Sequence, residues 1–93
     1  MKEKERLFIT VIGEDKKGIV AKISTLLYEL DINIEDISQK ITEGFFVMTM
    51  LVDIKDSRAA LEEISLQLKQ IGQELRMEIQ IQHENILKMM HRV

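Results

Sequence analysis

Leu7-Phe8-Ile9-Thr10-Val11-Ile12-Gly13-Glu14-Asp15-Lys16-Lys17-Gly18-Ile19-Val20 is the stretch on which the fold turns. Its first six residues are dominated by β-branched and aromatic types and are apolar on both faces, which predicts a central strand ending at Gly13. Glu14 to Gly18 is polar and glycine-bounded, and reads as a loop. A different period then begins. Ile19, Val20, Ile23, Leu26, Leu27 and Leu30 recur at helical spacing, with Lys22, Ser24, Thr25 and Glu29 elsewhere. That pattern predicts an amphipathic helix of about three turns ending near Asp31.

Working outward, Ile32-Asn33-Ile34 opens a second strand that runs to about Ile41. Ile34 and Ile37 are three apart, so a bulge near Asp36 is expected to restore the inward phase, a device of edge strands. Thr42-Glu43-Gly44 reads as a short turn in which Gly44 supplies positive φ. Phe45 to Asp53 is the third strand, with Phe46, Met48, Met50 and Val52 on one face and Phe45, Val47 and Leu51 on the other. Asp56 or Ser57 is the expected N-cap of a second helix. That helix carries Ala60, Leu61, Ile64, Leu68 and Ile71 on one stripe and is expected to stop at Gly72 as a C′ residue. Arg76 to His83 alternates, with Met77, Ile79, Ile81 and His83 on one side, and reads as a half-buried edge strand. Glu84 to His91 reads as a short terminal helix. The order β-α-β-β-α-β plus that helix predicts an α+β, ferredoxin-like sandwich. Its four-stranded antiparallel sheet has order 4-1-3-2, with two helices on one face, and residues 1–93 read as a single domain.

Composition narrows the function. With 93 residues, folding buries only about 60–65% of the surface the unfolded chain exposes, so partner subunits could usefully extend the core. The chain is 45% hydrophobic and 31% charged, which fits a globular protein. It has no cysteine, so disulfides and Cys-based zinc sites are excluded. The longest apolar runs fall far short of a membrane span. The charged start, Met1 to Arg6, fits no export signal, so a cytoplasmic location is expected. A net charge of −3 argues against nucleic acid. The two histidines, His83 and His91, both lie near the C-terminus. No Ser–His–Asp set or catalytic carboxylate pair stands out. No enzyme activity, cofactor or metal is therefore expected.

Two families that share this order of elements match poorly. Acylphosphatases use an Arg-containing anion cradle after the first strand, and here that loop holds only lysines. RNA recognition motifs read bases with aromatics on strands one and three. Leu7-Phe8-Ile9 and Glu43-Gly44-Phe45-Phe46-Val47 partly resemble those motifs. But Glu43 stands where a basic residue belongs, and Met48, Thr49 and Met50 replace the later aromatic. An RNA binder remains the remote alternative.

The segment Val11 to Ile23, with Gly13-Glu14-Asp15-Lys16-Lys17-Gly18 at its centre, and the segment Leu30 to Gln39, with Asn33-Ile34, resemble the ACT domain. That family's pattern is a strand, Gly-x-Asp-x-x-Gly, an Ile/Val-rich helix and Asn-Ile at the start of strand two. The likeness continues through Phe45 to Met50 and Gly72 to the tail Ile86–Val93, which is similar to small free-standing bacterial and archaeal ACT proteins. Lys17 departs from it, since many ACT loops carry proline there. Similar modules also precede the catalytic domain of formyltetrahydrofolate deformylase, a domain for which no residues remain here.

The resemblance implies a non-catalytic, regulatory small-molecule-binding domain, with an amino acid as the expected ligand. ACT modules commonly pair edge to edge or face to face, which implies a homodimer or higher oligomer whose geometry responds to ligand. The alternative is a docking subunit of a larger enzyme or regulator. The ligand residues expected are Gly13, Glu14, Asp15, Lys16, Gly18, Ile19, Asn33 and Ile34. The physics is independent of the family. A helix N-terminus offers free N–H groups and partial positive charge to a carboxylate. Gly18 permits close backbone approach, and Lys16 and Lys17 add positive potential. Asp15 either turns the loop or pairs with an ammonium group. The first loop and the start of strand two are expected to meet either at one end of the first helix or across a dimer seam.

Overall fold

The computed structural model describes residues 3–90, the side chain of Leu87 apart. Its elements are β1 (Arg6–Glu14), α1 (Ile19–Glu29), β2 (Asn33–Thr42), β3 (Phe45–Asp53), α2 (Leu61–Leu75), β4 (Glu78–His83) and α3 (Glu84–Met90). The strands form one antiparallel sheet of order β2-β3-β1-β4. This is the expected ferredoxin-like sandwich. His91, the expected end of the terminal helix, lies outside the described residues. Among the described residues no helix is long and apolar enough to cross a membrane.

Alternation builds the core. Leu7, Ile9 and Val11 of β1 and Met48, Met50 and Val52 of β3 are fully buried on one face. Ile19, Ile23 and Leu27 of α1 and Ile64 and Leu68 of α2 close over them. The opposite face is open: Ile12, Phe45 and Val47 are 43%, 61% and 42% exposed. The expected bulge is present, as a register shift between Ile34 and Asp36 where β2 pairs with β3. The β2–β3 turn has positive φ at both Glu43 (52°) and Gly44 (82°), which matches the twist of the strands it joins.

Two expectations about α2 need correction. Asp56 and Ser57 do not cap it. The helix starts at Leu61, and the cap position is Ala60, which makes no side-chain bond. Residues before it form a tighter chain of turns, because Ile54 is buried and its carbonyl accepts the Ser57 N–H. The Ser57 hydroxyl instead bonds the N–H and carbonyl of Ala59. Glu62 and Glu63 supply negative charge to the first turn. Gly72 does not stop the helix, which runs to Leu75 and ends on a left-handed Arg76 (φ 56°). Gly72 is required by packing: a Cβ there would lie 3.0 Å from the Met77 carbonyl oxygen and 3.2 Å from Ile79 Cγ1. β1 also runs past Gly13 to Glu14.

Two buried carboxylates staple the chain start to the sheet. Asp53 accepts the N–H groups of Glu5 (3.1 Å) and Lys55 (3.0 Å). Glu84 accepts the Arg6 N–H at 2.8 Å. Burial pushes Asp53 upward, but the Lys55 and Glu5 N–H bonds and the Lys55 and Lys4 charges outweigh it, leaving the group below its ordinary 3.8. The Arg6 N–H bond is the largest influence on Glu84 and, with Lys88, overcomes burial to hold it below its ordinary 4.5. A carboxylate whose folded pKa is depressed stabilises the fold above its unfolded pKa, and that contribution is lost as pH falls through the folded value. The melting temperature should therefore hold down to about pH 5 and fall below about pH 4. Melts across this range should show a shallower acid limb for Glu84→Gln, from a lower plateau. Equal slopes for wild type, Glu84→Gln and Asp53→Asn would remove these groups from the account.

Candidate functional site

The loop after β1 is anchored, not free. The Asp15 N–H donates to the Gly44 carbonyl at 2.8 Å, tying the loop to the tip of the β2–β3 hairpin. Gly18 sits at φ 87° in the left-handed region and occupies the cap position of α1. No side chain caps α1 there, and no acidic residue lies in its first turn. The Gly18 carbonyl accepts the Lys22 N–H at 2.9 Å, so the N–H groups of Ile19, Val20 and Ala21 point out of the helix start. A Cβ on Gly18 would meet nothing within 4 Å. Space and donors suited to an anion are therefore both present at this corner.

The other expected residues divide. Glu14 and Asp15 are exposed beside Gly18. Ile19 is 2% exposed, so its side chain belongs to the core and only its backbone faces the corner. Gly13 is a packing glycine: a Cβ would lie 2.6 Å from Met77 Sδ and 3.3 Å from the Arg76 carbonyl oxygen. The Lys16 ammonium donates to the Leu75 carbonyl, so it caps the C-terminus of α2. That partner lies 59 residues away in sequence, and no local signal in the chain announces it.

Asn33 and Ile34 are not at this corner. Asn33 pairs with Asp53, which pairs with Arg6, whereas Glu14 pairs with Phe45, which pairs with Thr42. The loop and the Asn33 end thus lie at opposite ends of the sheet, about 25 Å apart at 3.3–3.4 Å per residue. α1 runs from one end to the other, so the expectation that both groups meet at one end of the first helix fails within a single chain.

Grooves of about 280–350 Å³ lie elsewhere. One, between α1 and α2, is floored by Leu26 and Ile71 and spanned by the Lys22–Glu74 ion pair at 3.0 Å. Another lies at Tyr28, Asp31, Asn33 and Asp56. His83, at the end of β4, is in structural use. Its Nε2 faces Glu5 at 2.9 Å and its Nδ1 accepts the Asn85 N–H at 3.1 Å. Among the described residues no group of three His, Asp or Glu could hold a metal ion.

Comparison with known proteins agrees with this geometry. Residues 5–82 match the profile of the ACT domain. The chain is 45% identical over 89 residues to a UPF0237 protein of Methanococcus maripaludis, covering 96% of this chain and 99% of that one. Among solved structures it is similar to an ACT domain protein from Streptococcus pneumoniae. There the TM-score is 0.79 and the identity 35%, covering 91% of this chain and 96% of that one. A formyltetrahydrofolate deformylase from Pseudomonas syringae shares the fold at TM-score 0.80 and 22% identity, over 87% of this chain and 28% of that one.

The corner separates strain from space. Gly18→Ala should cost about 1–2 kcal/mol, because a side chain disfavours the left-handed backbone although nothing obstructs it. In a domain of this size that is a fall of roughly 4–8 °C per kcal/mol in a thermal melt. Lys16→Met should cost about 0.3–1 kcal/mol by uncapping α2. A Gly18→Ala melt unchanged from wild type would show that the loop rearranges freely.

Proposed function

The chain belongs to the ACT domain family, and on that premise we propose that it is a non-catalytic sensor of a small molecule, in the first instance an amino acid. Two copies hold the ligand between them, and the pair reports its presence by its geometry. The observation that carries this reading is the open corner at Gly18: an uncapped helix N-terminus beside an exposed Asp15. The N–H groups suit a carboxylate, and the Asp15 carboxylate suits an ammonium group at the other end of a zwitterion.

Pairing along β2 supplies the missing half. β2 is a ten-residue strand at the edge of the sheet with most of its length exposed. Its sequence is charge-complementary to itself. Antiparallel pairing of two copies about Ser38 sets Asp36 against Lys40 of the partner subunit, twice, on the open face of the sheet. Such cross-strand pairs contribute about 0.2–1 kcal/mol each. Carried past the bulge, the same register sets Ile41 against Ile34 and Thr42 against Asn33 of the partner subunit. The partner's Asn33 and Ile34 then arrive at the hairpin end, where Asp15 is tied to Gly44. Asn33, Ile34, Glu14, Asp15 and Gly18 form one site only in this pair, with Lys16 and Gly13 shaping it from behind. RNA is disfavoured on the open face, where Glu14, Glu78 and Asp36 would repel phosphate.

A thermal-shift screen of the purified chain with the twenty amino acids should find one or a few that raise the melting temperature, since a ligand of the native state stabilises by mass action. Gly18→Val should abolish that shift in a chain that still folds. Lys40→Asp should weaken pairing in sedimentation, and Asp36→Lys added to it should restore pairing. Turnover of formyl-folate by the purified chain, or a ligand shift that survives in folded Gly18→Val, would overturn the reading.

A further inference from the structure

α3 is held to the sheet by two side chains at its first turn. Glu84 accepts the Arg6 N–H at 2.8 Å, and His83, the residue before the helix, accepts the Asn85 N–H at 3.1 Å through Nδ1. His83 therefore stands in the N-cap position, with an imidazole nitrogen in place of the oxygen that usually takes an N–H of the first turn. The helix has seven described residues, too few to persist alone, so its position rests on these anchors. We propose that His83 is a pH-sensitive latch: the neutral imidazole caps α3 and holds its start against the sheet, and the protonated ring releases it.

The hydrogen-bonding capacity of the ring decides this. A backbone N–H only donates, so Nδ1 is bare and the single ring proton sits on Nε2. There it meets the Glu5 carboxylate at 2.9 Å. Both nitrogens are in use, and their neighbours fix the tautomer. A second proton has only Nδ1 to occupy. It sets an N–H against the Asn85 N–H and replaces a bond by a contact between two donors. The cation also sits at the positive end of the α3 dipole. Glu5 accepts from Nε2 in either state, and with the cation the contact becomes an ion pair. Protonation therefore keeps Glu5 and gives up Asn85.

The surroundings isolate this titration. The ring is 18% exposed, so solvent protons reach it. The cations nearby are engaged elsewhere. Lys4 of the chain start is bonded to Glu35 of β2, and Arg6 of β1 lies 3.5 Å from Glu84 and 3.7 Å from Glu35. Lys88 of α3 lies 3.4 Å from Glu84. Asp53 of β3 takes the Glu5 N–H at 3.1 Å and lies 3.8 Å from Lys55. Glu62 and Glu63 open α2 at the same end of the fold. Asp53 and Glu84 are both held below their ordinary pKa values, so both stay charged through the range in which an imidazole changes charge, about pH 5 to 8. Glu84 is thus the permanent anchor of α3 and His83 the titratable one. In mild acid the helix start loosens, and the exposed stripe of Ile86, Met89 and Met90 moves with it. The change is local, because the acid limb of the whole fold belongs to the two carboxylates and begins lower. It is independent of any ligand at Gly18.

Nuclear magnetic resonance of the ¹⁵N-labelled chain, from about pH 8 to about pH 5, tests it. At the alkaline end the His83 ring should show a protonated Nε2 and a bare Nδ1. As the ring gains its second proton, the hydrogen-exchange protection of the Asn85 amide should fall about 2- to 10-fold, the size of one lost hydrogen bond. Both changes should share one midpoint. In His83→Asn the side-chain oxygen can accept the same N–H and does not titrate, so Asn85 protection should stay flat across the range. In His91→Asn, which removes the chain's other histidine, the response should persist. A ring protonated on Nδ1 at the alkaline end would overturn the proposal. So would Asn85 protection that stays constant while the ring titrates, a response that survives in His83→Asn, or one that vanishes in His91→Asn.

Discussion

The antiparallel register of β1 on β3 governs the rest of the molecule. Nine residues of β1 pair from Arg6 opposite Asp53 to Glu14 opposite Phe45 without a break. That single ladder aligns Leu7, Ile9 and Val11 with Val52, Met50 and Met48, so the buried face is complete before any helix is added. It also brings the tip of the β2–β3 hairpin beside the loop after β1, where Gly44 takes the Asp15 N–H. And it sends Asn33 to the far end. A slip of one residue would turn the methionines and isoleucines to solvent. It would also break the Glu5–Asp53 and Arg6–Glu84 bonds that hold the chain start.

How far the sequence can be read depends on the range of the forces involved. Elements declared by periodicity were legible: the strands from their doubly apolar or alternating runs, α1 from its stripe, the bulge from the three-residue step between Ile34 and Ile37. Their order was enough for the topology. Features decided by distant packing were not. Gly72 looked like a helix stop because glycine is common there, but a Cβ at that position would meet the Met77 carbonyl oxygen, just before β4, at 3.0 Å. Asp56 and Ser57 looked like caps because their side chains suit that role, but burial of Ile54 fixes the turns around them. Lys16 looked like a free loop cation, and its carbonyl partner belongs to a helix much later in the chain. At the candidate site, the helix corner and Gly18 were legible as a local signal. The separation of Asn33 from that corner follows from strand register, which no local pattern in either segment specifies.

A chain of this length can bury one face of a four-stranded sheet with two helices, and no more. The core confirms that allotment, with every fully buried large side chain on the helix side of the sheet or on the helices that cover it. What is left exposed is not random. It gathers in an apolar column on the two central strands, a ten-residue edge carrying Glu35, Asp36 and Lys40, and a helical stripe of isoleucine and methionine, with Tyr28 and Leu66 standing apart on α1 and α2. Methionine suits such a place, because its flexible thioether packs against surfaces of varied shape.

The edge and the open face are contiguous, which bears on how the proposed sensor would transmit a signal. Lys40 pairs with Val47, and Val47 with Ile12. All three side chains project from the open face, in one row that starts at the β2 edge and crosses both central strands. Any shift of one copy against another along β2 moves Lys40 relative to its ion-pair partner, and with it the margin of the apolar column. In the pair proposed above, a ligand held at the Gly18 corner and the partner's Asn33 would favour one such shift over others. Its binding free energy would then be linked to the packing of the column, and by reciprocity whatever covers the column would alter affinity for the ligand. Such a link would need no moving part inside the subunit, because a rigid sheet, read at its edge and on its face, would suffice.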